Sequence, residues 1–77
     1  MTKDELFSAI NFAVDMALNP ADTNCELPFK SLGIDSLGFY NILIEIESRS
    51  GIKFPDEDVS NILTINDLLI YVNKIKA

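Results

Sequence analysis

Ser36 stands in the run Leu32-Gly33-Ile34-Asp35-Ser36-Leu37, and no other residue of the chain has a setting that suits covalent chemistry. A hydroxyl at the start of a helix lies beside free backbone N–H groups that attract anions, so it can hold a phosphate once one is attached. The same position also suits a plain helix cap, a place that serine favours. Ser36 has no means of activating itself. The chain contains no histidine, the surroundings are not a Gly-x-Ser-x-Gly elbow, and no lysine stands within a few residues to act as base. If this serine reacts, another protein must activate it.

The missing histidine removes more than a base for Ser36. It closes Ser-His-Asp and Cys-His catalysis and every His-ligated metal site. Cys25 is the single cysteine, too few for a disulfide framework or a structural zinc site, and nothing basic adjoins it to lower its pKa. A reducing cytoplasm is the simplest compartment for such a chain. From Asp56 to Asp67 the acids fall at positions 1, 3 and 12 of a calcium-loop spacing, but position 6 is Asn61 where the sharp turn needs Gly, and position 12 is Asp67 in place of the bidentate Glu. No metal site is expected. Six Lys and Arg against twelve Asp and Glu give a net charge of −6, and the cations are scattered at Lys3, Lys30, Arg49, Lys53, Lys74 and Lys76, which argues against nucleic acid.

The elements that must position Ser36 are helical. The chain has 77 residues, 48% of them apolar, a folding composition for one small domain over 1–77 that buries roughly 60% of its unfolded surface. Thr2-Lys3-Asp4-Glu5 is a capping box, and Leu6, Phe7, Ile10, Ala13, Val14, Ala17 and Leu18 recur at helical steps until Asn19-Pro20. Residues 19 to 33 are dense in Pro, Asn and Gly and read as a long ordered loop, pinned by Leu27, Phe29 and Leu32, that delivers Ser36. From Ser36, read as the N-cap, a second helix runs to about Ser50 with Leu37, Tyr40, Leu43, Ile44 and Glu47 at helical steps and Gly51 closing it. Asp56-Glu57-Asp58 opens a short helix ending near Asn61. Thr64 caps the last helix, with Leu68, Leu69, Val72 and Ile75 on one face and Lys74 and Lys76 at its negative end. The expected fold is all-α, a four-helix bundle of three longer helices and one short one. The longest purely aliphatic run is Ile42-Leu43-Ile44, far short of the roughly 20 residues that span a bilayer, and Asp4 and Glu5 stand where a secretion signal would be basic.

The run Phe29-Lys30-Ser31-Leu32-Gly33-Ile34-Asp35-Ser36-Leu37 resembles the signature of the acyl carrier proteins. Ile52-Lys53-Phe54-Pro55-Asp56-Glu57-Asp58 is similar to their hydrophobic-Pro-acidic segment, and Thr64-Ile65-Asn66-Asp67-Leu68-Leu69-Ile70-Tyr71-Val72 to their last helix. The resemblance covers nearly the whole chain. It implies 4′-phosphopantetheine attached to Ser36 by a phosphopantetheinyl transferase, with acyl groups carried as thioesters on that arm for fatty acid, polyketide or related specialised biosynthesis. The protein would be no enzyme but a cytoplasmic monomer, without membrane insertion, acted on by acyl-handling synthases or by adenylating, acyl-loading enzymes. It also implies that Asp35 and Leu37 help the transferase recognise the serine, and that part of an acyl chain shelters between the helices.

Other readings stand beside this one: an aminoacyl or peptidyl carrier, and an acidic helical interaction module that uses Ser36 only as a cap. Where carriers of fatty acid synthesis typically repeat acids along the helix after the serine, this chain has Gly38, Asn41 and Ser48, with Glu45 and Glu47 the remaining acids. A dedicated carrier for a specialised pathway fits that pattern as well as the housekeeping one. Gly38 is read as exposed, and Phe39 and Tyr40 as aromatic bulk near the arm; a core position is the plainer alternative for either, and the better one for Tyr40, three residues after Leu37. The residues expected to meet the transferase and partner enzymes are Asp35, Leu37, Phe39, Ile44, Glu45, Glu47, Asp56 and Glu57. Five of the six net negative charges fall between Asp35 and Asp67, a distribution suited to steering basic partners.

Overall fold

The computed structural model describes residues 1–76, Lys76 by its backbone only; the Lys76 side chain expected at the negative end of the last helix, and Ala77, lie outside the described residues. Four helices follow one another: α1 (Lys3–Val14), α2 (Ser36–Ser50), α3 (Asp56–Val59) and α4 (Ile65–Lys76). A 3₁₀ turn, Phe29–Leu32, interrupts the loop before α2. Among the described residues no strand forms, so the all-α expectation holds.

Local chemistry sets most of the helix ends. At α1 the Glu5 N–H donates to Thr2 Oγ1 (3.1 Å) and the Thr2 N–H donates to Glu5 Oε1 (2.8 Å), so each satisfies an orphan donor of the other. Thr64 and Asp67 do the same for α4: the Asp67 N–H reaches Thr64 Oγ1 at 3.0 Å, and Asp67 Oδ2 accepts the Leu63 and Thr64 N–H groups at 3.1 and 3.2 Å. Helix α1 stops at Val14, four residues before the expected end, with Asp15 left-handed at φ 52°. The cause is Asn11. Its amide donates to the Leu18 carbonyl and accepts from the Leu18 N–H, both at 2.9 Å, and so gives that backbone a non-helical partner.

The core is assembled from one face of each helix. Leu6 and Ile10 of α1, Ile42 and Ile46 of α2, and Leu68 and Val72 of α4 all have zero exposure, with Phe7 at 1%. Burial of this kind stabilises by about 25 cal/mol per Å² of apolar surface. The core stripes fade toward the helix ends: Ala17 lies beyond α1, and Ile75 is 53% exposed against its expected core position. Phe29 is the loop residue that anchors to the core, Leu32 is half-buried and Leu27 stays exposed. Backbone bonds complete the docking of the loop onto the α3–α4 junction, from the Phe29 N–H to the Leu63 carbonyl and from the Asn66 N–H to the Cys25 carbonyl, both 3.1 Å.

Candidate functional site

Ser36 reaches the surface through a sequence of local constraints. The 3₁₀ turn is closed by Gly33, whose φ of 84° lies in the left-handed region that favours glycine, and by the Ile34 N–H, which donates to the Phe29 carbonyl at 3.1 Å. Ile34, 3% exposed, then plunges into the core and throws the following residues outward. Asp35 is the N-cap of α2: it is extended, and its carboxylate accepts the Gly38 N–H at 2.8 Å. Ser36 is therefore the first helical residue and not the cap that the sequence suggested. A carboxylate outcompetes it because the side chain one residue earlier reaches the third helical N–H directly. The Ser36 hydroxyl is exposed and makes no hydrogen bond among the described residues. It is free to react.

A groove of about 620 Å³ opens beside it. Lys30, Asp35, Ser36 and Ser60 supply its polar lining, while Phe39, Tyr40, Val59 and Leu63 give it apolar walls drawn from α2, α3 and the α3–α4 junction. Both aromatics line the groove beside Ser36, as expected, but Tyr40 is not core. Phe39 is half-buried and packs on Phe29 with ring centroids 5.1 Å apart, whereas Tyr40 is 52% exposed. Counting from Leu37 placed Tyr40 inside, but Leu37 is itself 70% exposed, so the count started from the outer face. Gly38 is half-buried rather than exposed. A Cβ there would stand 3.2 Å from Val14 Cγ1 and 3.3 Å from Ile34 Cγ2, so its smallness lets α2 start close against the end of α1.

The other expected partner residues separate into two groups. Leu37 and Ile44, with Tyr40 between them, form an exposed apolar stripe on α2 at steps of three and four residues. Asp35 and, on α3, Asp56 and Glu57 are exposed as well. Glu45 and Glu47 sit at the edges of that stripe and already have partners: Glu45 Oε2 is 2.6 Å from Arg49 Nε, and Glu47 Oε2 is 3.9 Å from Lys53 Nζ. Arg49 also donates to Ser8 Oγ at 3.2 Å and lies 5.8 Å from the centre of the Phe12 ring. Leu63 belongs to the groove yet carries no sequence signal for it, since folding alone brings the α3–α4 junction to Ser36.

Two of the three acids of the calcium-like spacing are occupied by the fold. Asp67 caps α4, and Asp58 Oδ2 accepts the Tyr71 hydroxyl at 3.0 Å. Burial, then the hydrogen bond to Asp58, then its charge raise the Tyr71 phenol above its ordinary pKa of 10.0. Among the described residues no group of three or more His, Cys, Asp or Glu is arranged to hold a metal ion. Among them too, no helix is long and apolar enough to cross a membrane.

The arrangement fits a phosphate-linked prosthetic group. It offers a free hydroxyl on the first turn of a helix, a neighbouring cation at Lys30, and a groove in which an attached group can lie. Comparison with known proteins points the same way. Residues 12–72 match the family described as phosphopantetheine attachment site. The chain is 29% identical over 79 residues to an acyl carrier protein of Rhodococcus erythropolis, covering 99% of this chain and 87% of that one. It is also 29% identical to the meromycolate extension acyl carrier protein of Mycobacterium tuberculosis, covering 99% of this chain and 69% of the relative. An acyl carrier protein homolog of Ureaplasma parvum is 44% identical over 54 residues, 70% of this chain and 68% of that one.

Proposed function

The chain belongs to the acyl carrier proteins, whose prosthetic group is 4′-phosphopantetheine, and from that premise we propose that Ser36 bears the group and that the protein carries acyl intermediates for a chain-building pathway of the fatty acid or polyketide kind. The observation that carries this reading is the free Ser36 hydroxyl on the first turn of α2, released from capping by Asp35. When bound, the arm supplies a terminal thiol that holds acyl groups as thioesters.

The residues of the chain present the serine and receive the partners. Ser36 Oγ forms the bond to the phosphorus of the pantetheine phosphate of coenzyme A as the bond to the adenosine bisphosphate half breaks. Its proton leaves to a base on the transferase, because this chain has no histidine to take it. Asp35 fixes the helix start and so the direction in which Ser36 points, and the α2 N-terminus favours the negative charge that arrives. Leu37, Tyr40 and Ile44 offer partners an apolar contact beside the serine, and Asp56 and Glu57 add exposed charge that steers basic surfaces toward it. Tyr40 takes the place first assigned to Phe39 on that surface. Glu45 and Glu47, held in ion pairs, contribute less.

No catalytic group is required of this chain. Its role is to raise the local concentration of an acyl group at each enzyme that docks. The partners are a phosphopantetheinyl transferase and acyl-handling synthases. With a lone thiol at Cys25, a monomer in a reducing cytoplasm completes the reading. Incubation with coenzyme A, magnesium and a broad-specificity transferase tests it by intact mass. One arm is expected on the wild-type chain and none on Ser36→Ala, and an unmodified wild type would overturn the assignment.

A further inference from the structure

Helix α2 keeps two carboxylates, Glu45 and Glu47, and both are engaged within the chain, but by cations of unequal grip. Lys53 is the loose one: its ammonium is 3.9 Å from Glu47 Oε2, and its side chain is 83% exposed. An exposed pair at that distance gains little over water and is screened by salt. Arg49 is held at three points. Its Nε is 2.6 Å from Glu45 Oε2, its Nη1 donates to Ser8 Oγ of α1 at 3.2 Å, and its guanidinium lies 5.8 Å from the centre of the Phe12 ring. A planar fork that bonds a carboxylate while it packs on an aromatic ring is pre-organised, so less side-chain entropy is lost per contact. Phe12, 71% exposed on α1, lies outside the core and seats that cation. The consequence falls on the face beside Ser36, where Leu37, Tyr40 and Ile44 are exposed and Glu45 directly follows Ile44. With the Glu45 side chain only 21% exposed and bonded to a cation anchored on α1, the apolar stripe is bordered by an ion pair and not by a free carboxylate.

We propose that Arg49 determines which partners α2 accepts: by holding Glu45 in an ion pair anchored on α1, it leaves the face beside Ser36 apolar, a fit for enzymes with an apolar docking site and a poor one for enzymes that meet α2 with lysine and arginine. This inference deepens the carrier reading of Ser36 and rests on it. Asp56 and Glu57 of α3 still steer basic surfaces from a distance, but contact at α2 then offers those surfaces no free acid. A partner's lysine that reaches Glu45 must first displace the guanidinium, whereas an apolar docking site has no such exchange to make.

The test measures, by fluorescence anisotropy at low and at physiological salt, binding of the phosphopantetheine-loaded full chain to a ketosynthase whose carrier-docking surface is lined by lysine and arginine. The same enzyme with those docking cations replaced by glutamine is the comparison. Arg49→Gln should bind the basic enzyme several-fold more tightly than wild type at low salt, with most of the gain gone at physiological salt and none seen against the neutralised enzyme. The double variant Glu45→Gln with Arg49→Gln should return to the wild-type value. Lys3→Gln, which changes the net charge equally but takes no part in the pair, should stay at that value too. Arg49→Met serves where Arg49→Gln does not fold. Intact mass confirms loading beforehand, and a chain that takes no arm defeats the Ser36 assignment together with this one. A chain that loads, but whose Arg49→Gln variant binds the basic enzyme no tighter than wild type, keeps its gain without Glu45 or against the neutralised enzyme, or is matched by Lys3→Gln, overturns this inference alone.

Discussion

Along α2, Ile42 and Ile46 have no exposed surface, while Leu37 and Ile44, on the same fifteen-residue helix, are 70% and 63% exposed. The inner face joins α1 and α4 in a core of aliphatic side chains. The outer face borders the groove and solvent, and the N-terminal turn touches the core only at its margin, through Phe39 on Phe29 and Gly38 beside Val14. One helix thus serves two regions with opposite demands. The inner region is held by burial and tolerates little change. The outer region is held by a few hydrogen bonds, around Asp35 and between Tyr71 and Asp58, and leaves reactive and apolar groups uncovered. This division lets a small scaffold stay folded while one face of it remains uncovered.

The comparison can be broken most sharply in the core. Leu68→Ala, at a site of zero exposure, should lower unfolding free energy by about 2–5 kcal/mol in urea titration, since a buried isopropyl group is lost and a cavity left. A loss under about 1 kcal/mol would mean that the inner region is no tighter than the outer. At the helix start, Asp35→Ala should cost about 0.5–2 kcal/mol because the Gly38 N–H loses its acceptor. Ser36→Ala, by contrast, should stay within about 0.5 kcal/mol, as expected for an exposed side chain with no partner. Equal losses would return the capping role to Ser36.

Tyr71→Phe should fall between Asp35→Ala and Ser36→Ala, at about 0.5–1.5 kcal/mol, from loss of the hydrogen bond that ties α3 to α4. Its pH dependence has a definite sign. The phenol is raised above 10.0 in the folded chain, so the proton is favoured by folding; that part of the stability is complete below the unfolded value and is lost as pH rises through and beyond it. Urea midpoints taken above pH 10 should fall more steeply for wild type than for Tyr71→Phe, and parallel curves would remove the tie.

The two regions were also unequally legible in the sequence. The capping pairs Thr2 with Glu5 and Thr64 with Asp67 could be read because each acts within three residues. Leu6, Phe7, Ile10, Leu68 and Val72 followed from helical spacing for the same reason, whereas Ala9 and Ile65, equally buried, lie off the stripes that spacing marked. The outer region depends on contacts the spacing does not contain. Asn11 ends α1 by reaching seven residues along the chain, Phe39 is drawn inward by Phe29 ten residues earlier, and Gly38 is small because Val14 lies against it. The Leu32–Leu37 signature located Ser36, but the division of labour in which Asp35 caps and Ser36 stays free needed the backbone geometry. The far wall of the groove, Val59 and Leu63, comes from a segment that no pattern near Ser36 announces.

The central claim is that the free hydroxyl of Ser36 is the point of attachment. Fragmentation mass spectrometry of the transferase-treated chain tests it directly. The account predicts the phosphopantetheine mass on Ser36 alone, with neighbouring Ser31 bare, and attachment at Ser31 or at any other residue would contradict it.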